Sequence, residues 1–223
     1  MHFLKKVFII TFIYDGEGLK DVNKLFCVLI GYLLGSLNPA HFLSKRKGVD
    51  LRHEGTGNLG TTNTMLVMGK ASAAAVLLLD MGKAVLSAKI AKWLFPKLVI
   101  AGMLGAFGAI LGHIFPWHMH FHGGKGLACF GGMILEYNPI VFCILLVLVL
   151  GLAALFNYGI ALPISAAILF PIAAALVSRS LPVFLVSLIA SLTILYAHRE
   201  NFRWVRNGED LHIDEYLKGM RDK

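Results

Sequence analysis

The sequence predicts an all-α protein that crosses a membrane several times. Hydrophobic residues make up 57% of its 223 residues and charged residues 15%, which is less charge than a soluble domain of this size carries. The mean hydropathy is +0.71, and several apolar runs approach the roughly 20 residues that a helix needs to span the hydrocarbon. These runs are continuous and do not alternate with polar residues, which disfavours a membrane β-barrel.

Seven apolar segments are the expected crossings: residues 25–44, 70–95, 98–115, 127–135, 140–156, 160–177 and 183–196. The third is rich in glycine and alanine, so it can pack closely against its neighbours. The fourth is too short to span the bilayer alone, and we expect it to be buried in the bundle. We assign residues 1–24 to an N-terminal extension, 25–211 to the membrane domain and 212–223 to a polar tail.

The distribution of positive charge predicts the orientation. With seven crossings, the loop at 45–69, the stretch at 113–125 and the tail from residue 198 share one face of the membrane. Cations are concentrated in these segments: Lys45, Arg46, Lys47, Arg52, Lys125, Arg199, Arg203 and Arg206. The positive-inside rule therefore predicts that this face is cytoplasmic. A net charge of +8 that is placed in this way fits anionic lipid or phosphate ligands better than nucleic acid.

One polar stretch, residues 112–126, stands between apolar segments, where a membrane protein rarely carries polar groups without a function. It ends in Gly123, Gly124, Lys125 and Gly126, directly before a segment that can be helical. Free backbone amides at a helix start, beside one ammonium, are suited to an anion. We therefore expect phosphate to bind here. The alternative is that these glycines only form a tight re-entrant turn.

Two further polar segments, residues 55–63 and 198–209, are expected on the same face. The first is dense in Gly, Thr and Asn, and the second is basic. Two anion-binding loops and a basic tail suit a substrate with more than one phosphate, or two phosphorylated substrates. The residues therefore predict phosphate chemistry beside a bilayer.

The order of these segments resembles a known family. The matching pieces are Gly35 with Ser36, Gly55 to Asn63, Asp80 with Lys83, Gly112 to Pro116, Phe121 with Gly123 to Gly126, and His198 to Asn201 followed by Gly208 and Glu209. Together, across about residues 28–211, they resemble the bacterial glycerol-3-phosphate acyltransferases that use acyl phosphate as donor, the PlsY family. Members of that family look like seven-helix inner-membrane enzymes whose motif loops face the cytoplasm.

The resemblance implies a reaction and a set of site residues. The sn-1 hydroxyl of glycerol 3-phosphate would attack the carbonyl of acyl phosphate, giving lysophosphatidic acid and phosphate, with no cofactor and no metal. The catalytic residues carried over to this sequence are Lys125, His198, Asn201 and Thr56, and the family has Ser at the position of Thr56. The substrate- and phosphate-binding residues are Gly55, Gly57, Asn58, Gly60, Thr62, Asn63, Gly123, Gly124, Gly126, His113, Arg199 and Glu200. The expected partners are the two substrates and the bilayer, with the enzyme that makes acyl phosphate as a candidate.

The chemistry of an acyl phosphate fits these residues. The donor is already activated, so no nucleophilic Ser or Cys is required, and the departing phosphate can accept the hydroxyl proton. The protein has to supply charge neutralisation, positioning and donors for the developing oxyanion. Glycine amides and Lys125 are suited to those tasks.

Two positions depart from the family pattern. Leu66 stands where the family has Arg, and Ile160 stands where it has a functional Ser. Both missing groups would serve the glycerol 3-phosphate side. A paralogue that is non-catalytic or takes another acceptor is therefore the first rival hypothesis. A small transporter is the second, although the sequence shows no internal repeat.

Other polar and sulfur-containing residues allow two interpretations. The run of His113, His118, His120 and His122 could bind zinc or copper, because alternating histidines in an extended strand would share one face, but we expect His113 to orient the loop by hydrogen bonding. Asp80 and Lys83 are three residues apart on one helix, so we expect a self-neutralising pair rather than direct catalysis. The three cysteines, Cys27, Cys129 and Cys143, show no C-x-x-C spacing and predict neither a disulfide nor a zinc framework.

Overall fold

The computed structural model describes residues 18–208, with side chains from Val22 onward. Its helices are α1 Gly18–Ser36, α2 Pro39–Arg46, α3 Thr61–Met68, α4 Lys70–Leu94, α5 Ala101–Ile114, α6 Leu127–Tyr137, α7 Pro139–Phe156, α8 Ala161–Ser178, α9 Leu181–Ala197 and α10 Arg199–Asn207. A short 3₁₀ turn covers Trp117–Met119. Most of the expected N-terminal extension, the tail at 212–223 and the motif residue Glu209 lie outside the described residues.

All seven apolar segments are helical, and six of them end within a few residues of the expected positions. The first begins at Gly18, seven residues before its expected start, and is divided into α1 and α2. Four segments of the described chain are long and apolar enough to cross a membrane: Val22–Arg46, Lys70–Leu94, Pro139–Phe156 and Ala161–Ser178. Helices α9 and α10, which meet at a bend of 47°, give a fifth when they are taken together. Helices α5 and α6 have 14 and 11 residues. The expected all-helical membrane fold is confirmed.

Helix α5 lies at the centre of the bundle, in contact with α1, α4, α6 and α9. Its sequence is AGMLGAFGAILGHI, and all of its residues except Leu111 are buried. Small residues allow the backbones of α1 and α5 to approach closely. A β-carbon on Gly35 would lie 2.5 Å from Cα of Ala109, and one on Gly112 would lie 2.7 Å from the Ser36 nitrogen. Larger residues at these two glycines would push the helices apart.

The first expected crossing is broken into α1 and α2. Asn38 ends the break: its Oδ1 accepts a hydrogen bond from the backbone N–H of His41 at 2.9 Å, and Pro39 occupies the first helical position. Asx capping followed by proline is a strong helix start. We predicted one continuous segment because apolar residues continue on both sides of the Asn38-Pro39 pair. The break places polar backbone inside the bundle, where it contacts the site described next.

The outer face of the bundle is apolar, as a lipid-facing surface should be. On α7, Ile140, Val147 and Leu155 are each more than 70% exposed, whereas Val141, Leu145 and Val149 on the opposite face are buried. A soluble protein would not leave such a continuous apolar surface uncovered. The polar segments are instead gathered at the helix ends.

Candidate active site

Lys125 is the centre of a group of polar residues at the start of α6. Its ammonium donates a hydrogen bond to Asn201 Oδ1 and lies 5.0 Å from the centre of the Trp204 ring. Asn201 and Trp204 are three residues apart on α10, so they present one face of that helix to the lysine. The structure thus joins two predicted catalytic residues that are 76 positions apart in sequence.

His198 stands at the bend between α9 and α10 and is buried, at 7% exposure. Its Nδ1 lies 2.8 Å from the carbonyl oxygen of Ile194, and because a carbonyl only accepts, Nδ1 carries the proton. Burial lowers the pKa of His198 to about 4; the Ile194 carbonyl opposes this shift and the nearby Lys125 ammonium adds to it. The imidazole is therefore neutral at pH 7, with Nε2 as a hydrogen-bond acceptor.

The glycine segment before α6 differs from the expectation in one respect. The N–H of Gly123 donates to the Ile114 carbonyl and that of Gly124 to the His113 carbonyl, both at 3.1 Å. These two amides were expected to be free for an anion, and that expectation is wrong because the segment folds back and pairs with the end of α5. Gly126 has φ 80° and forms the N-cap of α6. Lys125 therefore lies between a backbone-bonded Gly124 and the N-cap of α6.

The loop at 55–63 is organised by Asn63, which has no exposed surface. Its Oδ1 accepts from the N–H of Thr56 at 2.7 Å, and its Nδ2 donates to the carbonyls of Leu51 and Glu54 at 2.9 and 3.0 Å. Asn63 was expected to bind substrate. Its full burial and its bonds to the loop backbone give it a structural task instead.

The other residues of this loop are more accessible. Thr56, Gly57 and Thr62 are exposed, and Asn58 is half-buried. Gly55 and Gly57 have φ angles of 59° and 70°, a left-handed conformation that glycine adopts without strain.

The loop touches the glycine segment through Leu59. A β-carbon on Gly124 would lie 2.5 Å from the Leu59 carbonyl oxygen. Gly60 forms the N-cap of α3, and its carbonyl accepts from Thr64 Oγ1 at 2.9 Å. The predicted convergence of the three polar segments is therefore present, because Leu59 meets Gly124 and the next residue, Lys125, meets Asn201.

Two residues of α10 are placed differently from their neighbour Asn201. The Arg199 guanidinium lies 4.4 Å from the centre of the Tyr196 ring and donates to the Tyr196 carbonyl at 3.1 Å. Arg199 was expected to bind phosphate, but these contacts turn it back onto the last turn of α9. Glu200 is exposed.

His113 lies inside the bundle, at 2% exposure. Its Nδ1 is 3.1 Å from Asp80 Oδ1 and 2.9 Å from Lys83 Nζ. The predicted ion pair of Asp80 and Lys83 is confirmed, with 2.7 Å between Lys83 Nζ and Asp80 Oδ1. His113 was expected among the phosphate-binding residues. Its burial and its two charged partners make it a support of the loop, which is the hydrogen-bonding task that the sequence also suggested.

The histidine run at 113–122 is not an extended strand. Trp117–Met119 forms a 3₁₀ turn, and His120 is left-handed at φ 54°. Within the described residues, the group with metal-ligand geometry is Asp80, His113 and Cys129, whose ligand atoms lie within 4.8 Å of one another. This group fits a metal poorly, because the Lys83 ammonium already occupies the cation position beside Asp80.

Two residues that contact the site, Trp204 and Asn38, were not predicted from the sequence. Trp204 follows Asn201 by three residues, so its place on the same helix face could have been read from the spacing. Asn38 donates from Nδ2 to the Leu59 carbonyl at 3.4 Å and is fully buried. The signal for Asn38 was the Asn-Pro pair inside an apolar run, which marks a helix break.

Nearly all of the described chain matches a known family. A family model described as glycerol-3-phosphate acyltransferase matches residues 25–208. The chain belongs to the glycerol-3-phosphate acyltransferase family. A relative of that name from Exiguobacterium sibiricum is 34% identical over 201 residues, which cover 87% of this chain and 96% of the relative. One from Streptococcus thermophilus is 35% identical over 195 residues, covering 82% and 90%.

Two solved structures of this family have the same fold. Both are crystal structures of PlsY (YgiH), an integral membrane glycerol 3-phosphate acyltransferase. The glycerol 3-phosphate form is 31% identical, with a TM-score of 0.78, and the match covers 85% of this chain and 94% of that one. The lysophosphatidic acid form is 30% identical, with a TM-score of 0.77, covering 87% and 98%. The family resemblance deduced from the motifs is confirmed.

Proposed function

We propose that the chain transfers an acyl group from acyl phosphate to the sn-1 hydroxyl of glycerol 3-phosphate, which gives lysophosphatidic acid and phosphate. The observation that carries this proposal is the group formed by Lys125, Asn201 and His198 beside a rigid glycine segment, in a member of this family. The relatives named as glycerol-3-phosphate acyltransferases, and the two forms in which PlsY was crystallised, support both the acceptor and the product.

Lys125 supplies positive charge where the reaction develops negative charge. The acceptor oxygen bonds to the carbonyl carbon, the bond from that carbon to the phosphate oxygen breaks, and the hydroxyl proton leaves with the phosphate. An ammonium beside the phosphate stabilises the leaving group and the oxyanion. Asn201 holds Lys125 by accepting its hydrogen bond, and the Trp204 ring adds a second contact to the cation.

His198 positions the acceptor rather than removing its proton. Its Nδ1 proton is engaged by Ile194, so Nε2 can accept a hydrogen bond from a hydroxyl. A ring whose pKa is about 4 is a poor base at pH 7. This supports phosphate as the group that takes the proton. Thr56, which Asn63 holds at the rim of the 55–63 loop, supplies a hydroxyl for the phosphate side of a substrate.

We further propose that this is a multi-pass protein of the bacterial inner membrane, with seven crossings and the site on the cytoplasmic face. The short helices α5 and α6 then count as crossings that the bundle shields from lipid, which agrees with the burial of α5. The cations at 45–52 and on α10 lie on the site side of this arrangement, as the positive-inside rule requires. The enzyme that makes acyl phosphate is a candidate partner on that face.

A direct assay tests the proposal. Purified protein in lipid nanodiscs is given palmitoyl phosphate and labelled glycerol 3-phosphate, and lysophosphatidic acid is measured against time. We expect product from acyl phosphate and none above a Lys125→Ala control. A parallel reaction with palmitoyl coenzyme A tests the donor class. Product from the coenzyme A donor alone would overturn the assignment of acyl phosphate.

A second candidate function is the same acyl transfer to a different acceptor. It is favoured by Leu66 and by Ile160, which is buried at 7% exposure and cannot donate a hydrogen bond. Both stand where the family pattern has a group for the acceptor phosphate. Supplying glycerol, glycerol 3-phosphate and dihydroxyacetone phosphate in competition, and identifying the acylated product by mass, decides between the two.

A further inference from the structure

A buried cluster of charged groups, Asp80, Lys83 and His113, connects helices α4 and α5. The three side chains belong to residues that are 1%, 8% and 2% exposed. Lys83 Nζ lies 2.7 Å from Asp80 Oδ1, 2.9 Å from His113 Nδ1 and 2.8 Å from the Leu37 carbonyl oxygen. His113 Nδ1 is also 3.1 Å from Asp80 Oδ1, so the three side chains form one hydrogen-bonded group.

The contact from Lys83 to Leu37 leads to the 55–63 loop. Leu37 lies at the break between α1 and α2, and the next residue, Asn38, is fully buried. Asn38 donates from Nδ2 to the carbonyl of Leu59. The Lys83 ammonium therefore holds the backbone at Leu37, and the adjacent Asn38 holds the 55–63 loop.

The contact from Lys83 to His113 leads to the glycine segment. The His113 carbonyl accepts from the Gly124 N–H at 3.1 Å, and the His113 ring packs against the bare α-carbon of Gly124. Lys83 Nζ and Asp80 Oδ1 both lie within hydrogen-bond distance of Nδ1, so they hold the ring at that atom, and its Nε2 faces Gly124. The orientation of this ring therefore sets the position of Gly124, and Lys125 follows it directly in the chain.

We propose that Asp80, Lys83 and His113 are positioning residues that set the 55–63 loop and the Gly124–Lys125 segment relative to each other. They act through Leu59 and Gly124 and do not touch substrate. The catalytic part of this proposal rests on the proposed function, whereas the placement of Lys125 against Trp204 does not. If the cluster only stabilised the bundle, neutral groups could replace it without effect on the catalytic rate or on the placement of Lys125.

Neutralising the cluster separates positioning from stability. Lys83→Met alone leaves a buried carboxylate without its cation, which is strongly destabilising. The double variant Asp80→Asn/Lys83→Met removes both charges, and such replacements are often close to neutral for stability. Lys92→Met is the matched control, because Lys92 lies on the same helix and pairs at 2.6 Å with Glu136. The side chain of Lys92 is 51% exposed and that of Glu136 is 8% exposed, so this variant also leaves a carboxylate without its cation, away from the site.

The first measurement compares melting temperature, kcat and KM in nanodiscs. We expect Lys83→Met to lose both stability and activity. We expect the double variant to regain most of the melting temperature while its kcat stays on the order of 100-fold low, because small misplacements of catalytic groups cost about this much. The KM for glycerol 3-phosphate should rise far less than kcat falls. A double variant with the kcat of wild type would overturn the proposal.

The second measurement reports the position of Lys125 without any reaction. In a Trp93→Phe/Trp117→Phe background, the remaining described tryptophan is Trp204, whose ring lies 5.0 Å from the ammonium of Lys125. We expect the double variant to shift the emission of Trp204 toward that of Lys125→Met, and Lys92→Met to leave it unchanged. Unchanged emission in the folded double variant would refute the positioning role. If wild-type protein makes no lysophosphatidic acid, the proposed function fails, and this emission still decides the inference.

Discussion

Gly124→Ala tests the contact on which the site geometry depends. Gly124 lies between the Leu59 carbonyl and the His113 ring, so it joins the two predicted anion loops. Its added methyl group would stand 2.5 Å from the Leu59 oxygen and closer still to Nε2 of the His113 ring. Real β-carbons essentially never approach other atoms within 3.0 Å, so one of these neighbours must move.

The expected losses of stability and of kcat depend on how firmly these two neighbours are held. The Leu59 carbonyl is bonded by Asn38, and the His113 ring is held by Asp80 and Lys83. Neither is the end of a flexible side chain, so the segment that carries residue 124 has to shift. Overpacking of this kind costs about 1–3 kcal/mol of stability. Displacement of the adjacent Lys125 should lower kcat by roughly 100-fold.

Gly82→Ala is the matched control for this substitution. Gly82 lies within helix α4, and a β-carbon there meets nothing within 4 Å. Alanine should stabilise that helix by about 0.5–1 kcal/mol and leave the acyl-transfer rate unchanged. Melting temperature and the rate of lysophosphatidic acid formation are measured for both variants. A Gly124→Ala protein with the melting temperature and kcat of wild type would refute the reasoning.

Three further substitutions test separate parts of the site. Asn63→Ala removes three hydrogen bonds to buried loop backbone and should cost about 2–4 kcal/mol, seen as a lower melting temperature, whereas an unchanged value would contradict a structural role. The pKa of His198 is about 4 when folded and near 6.5 when unfolded, so acidification from pH 6.5 to 4 protonates the unfolded chain first. It should destabilise the protein by up to about 3 kcal/mol, and His198→Gln should remove this part of the pH dependence of the melting temperature. Leu66→Arg should lower the KM for glycerol 3-phosphate by roughly 10-fold if the missing guanidinium is a loss of phosphate binding, since a charged hydrogen bond contributes about 1.5–3 kcal/mol; an unchanged KM favours another acceptor.

The helices could be predicted from sequence because their cause is local. Continuous apolar runs need no knowledge of the fold, and all seven were helical, six of them within a few residues of the expected ends. The pair of Asp80 and Lys83 was predictable for the same reason, because a spacing of three residues on a helix brings two side chains together. Its third member, His113, comes from another helix and could not be placed by spacing.

The site could be predicted only as far as its motifs allowed. The order of the motifs brought Lys125, His198 and Asn201 into one hypothesis, and the contact of Lys125 with Asn201 agrees with it. The amides of Gly123 and Gly124 were misjudged because their carbonyl partners lie at the end of α5. Asn63 was misjudged because a polar loop residue gives no sign of its burial. Both errors concern tertiary partners, which a glycine-rich pattern does not reveal.

The most direct test of the account is the rate at which Lys125→Met makes lysophosphatidic acid from acyl phosphate and glycerol 3-phosphate, measured beside Lys92→Met. Both variants remove one ammonium, at the site and at the ion pair with Glu136, respectively. We expect a kcat about 100-fold or more below wild type for Lys125→Met, as for other losses of charge stabilisation in a transition state, and no change for Lys92→Met. Equal rates for wild type and Lys125→Met would contradict it.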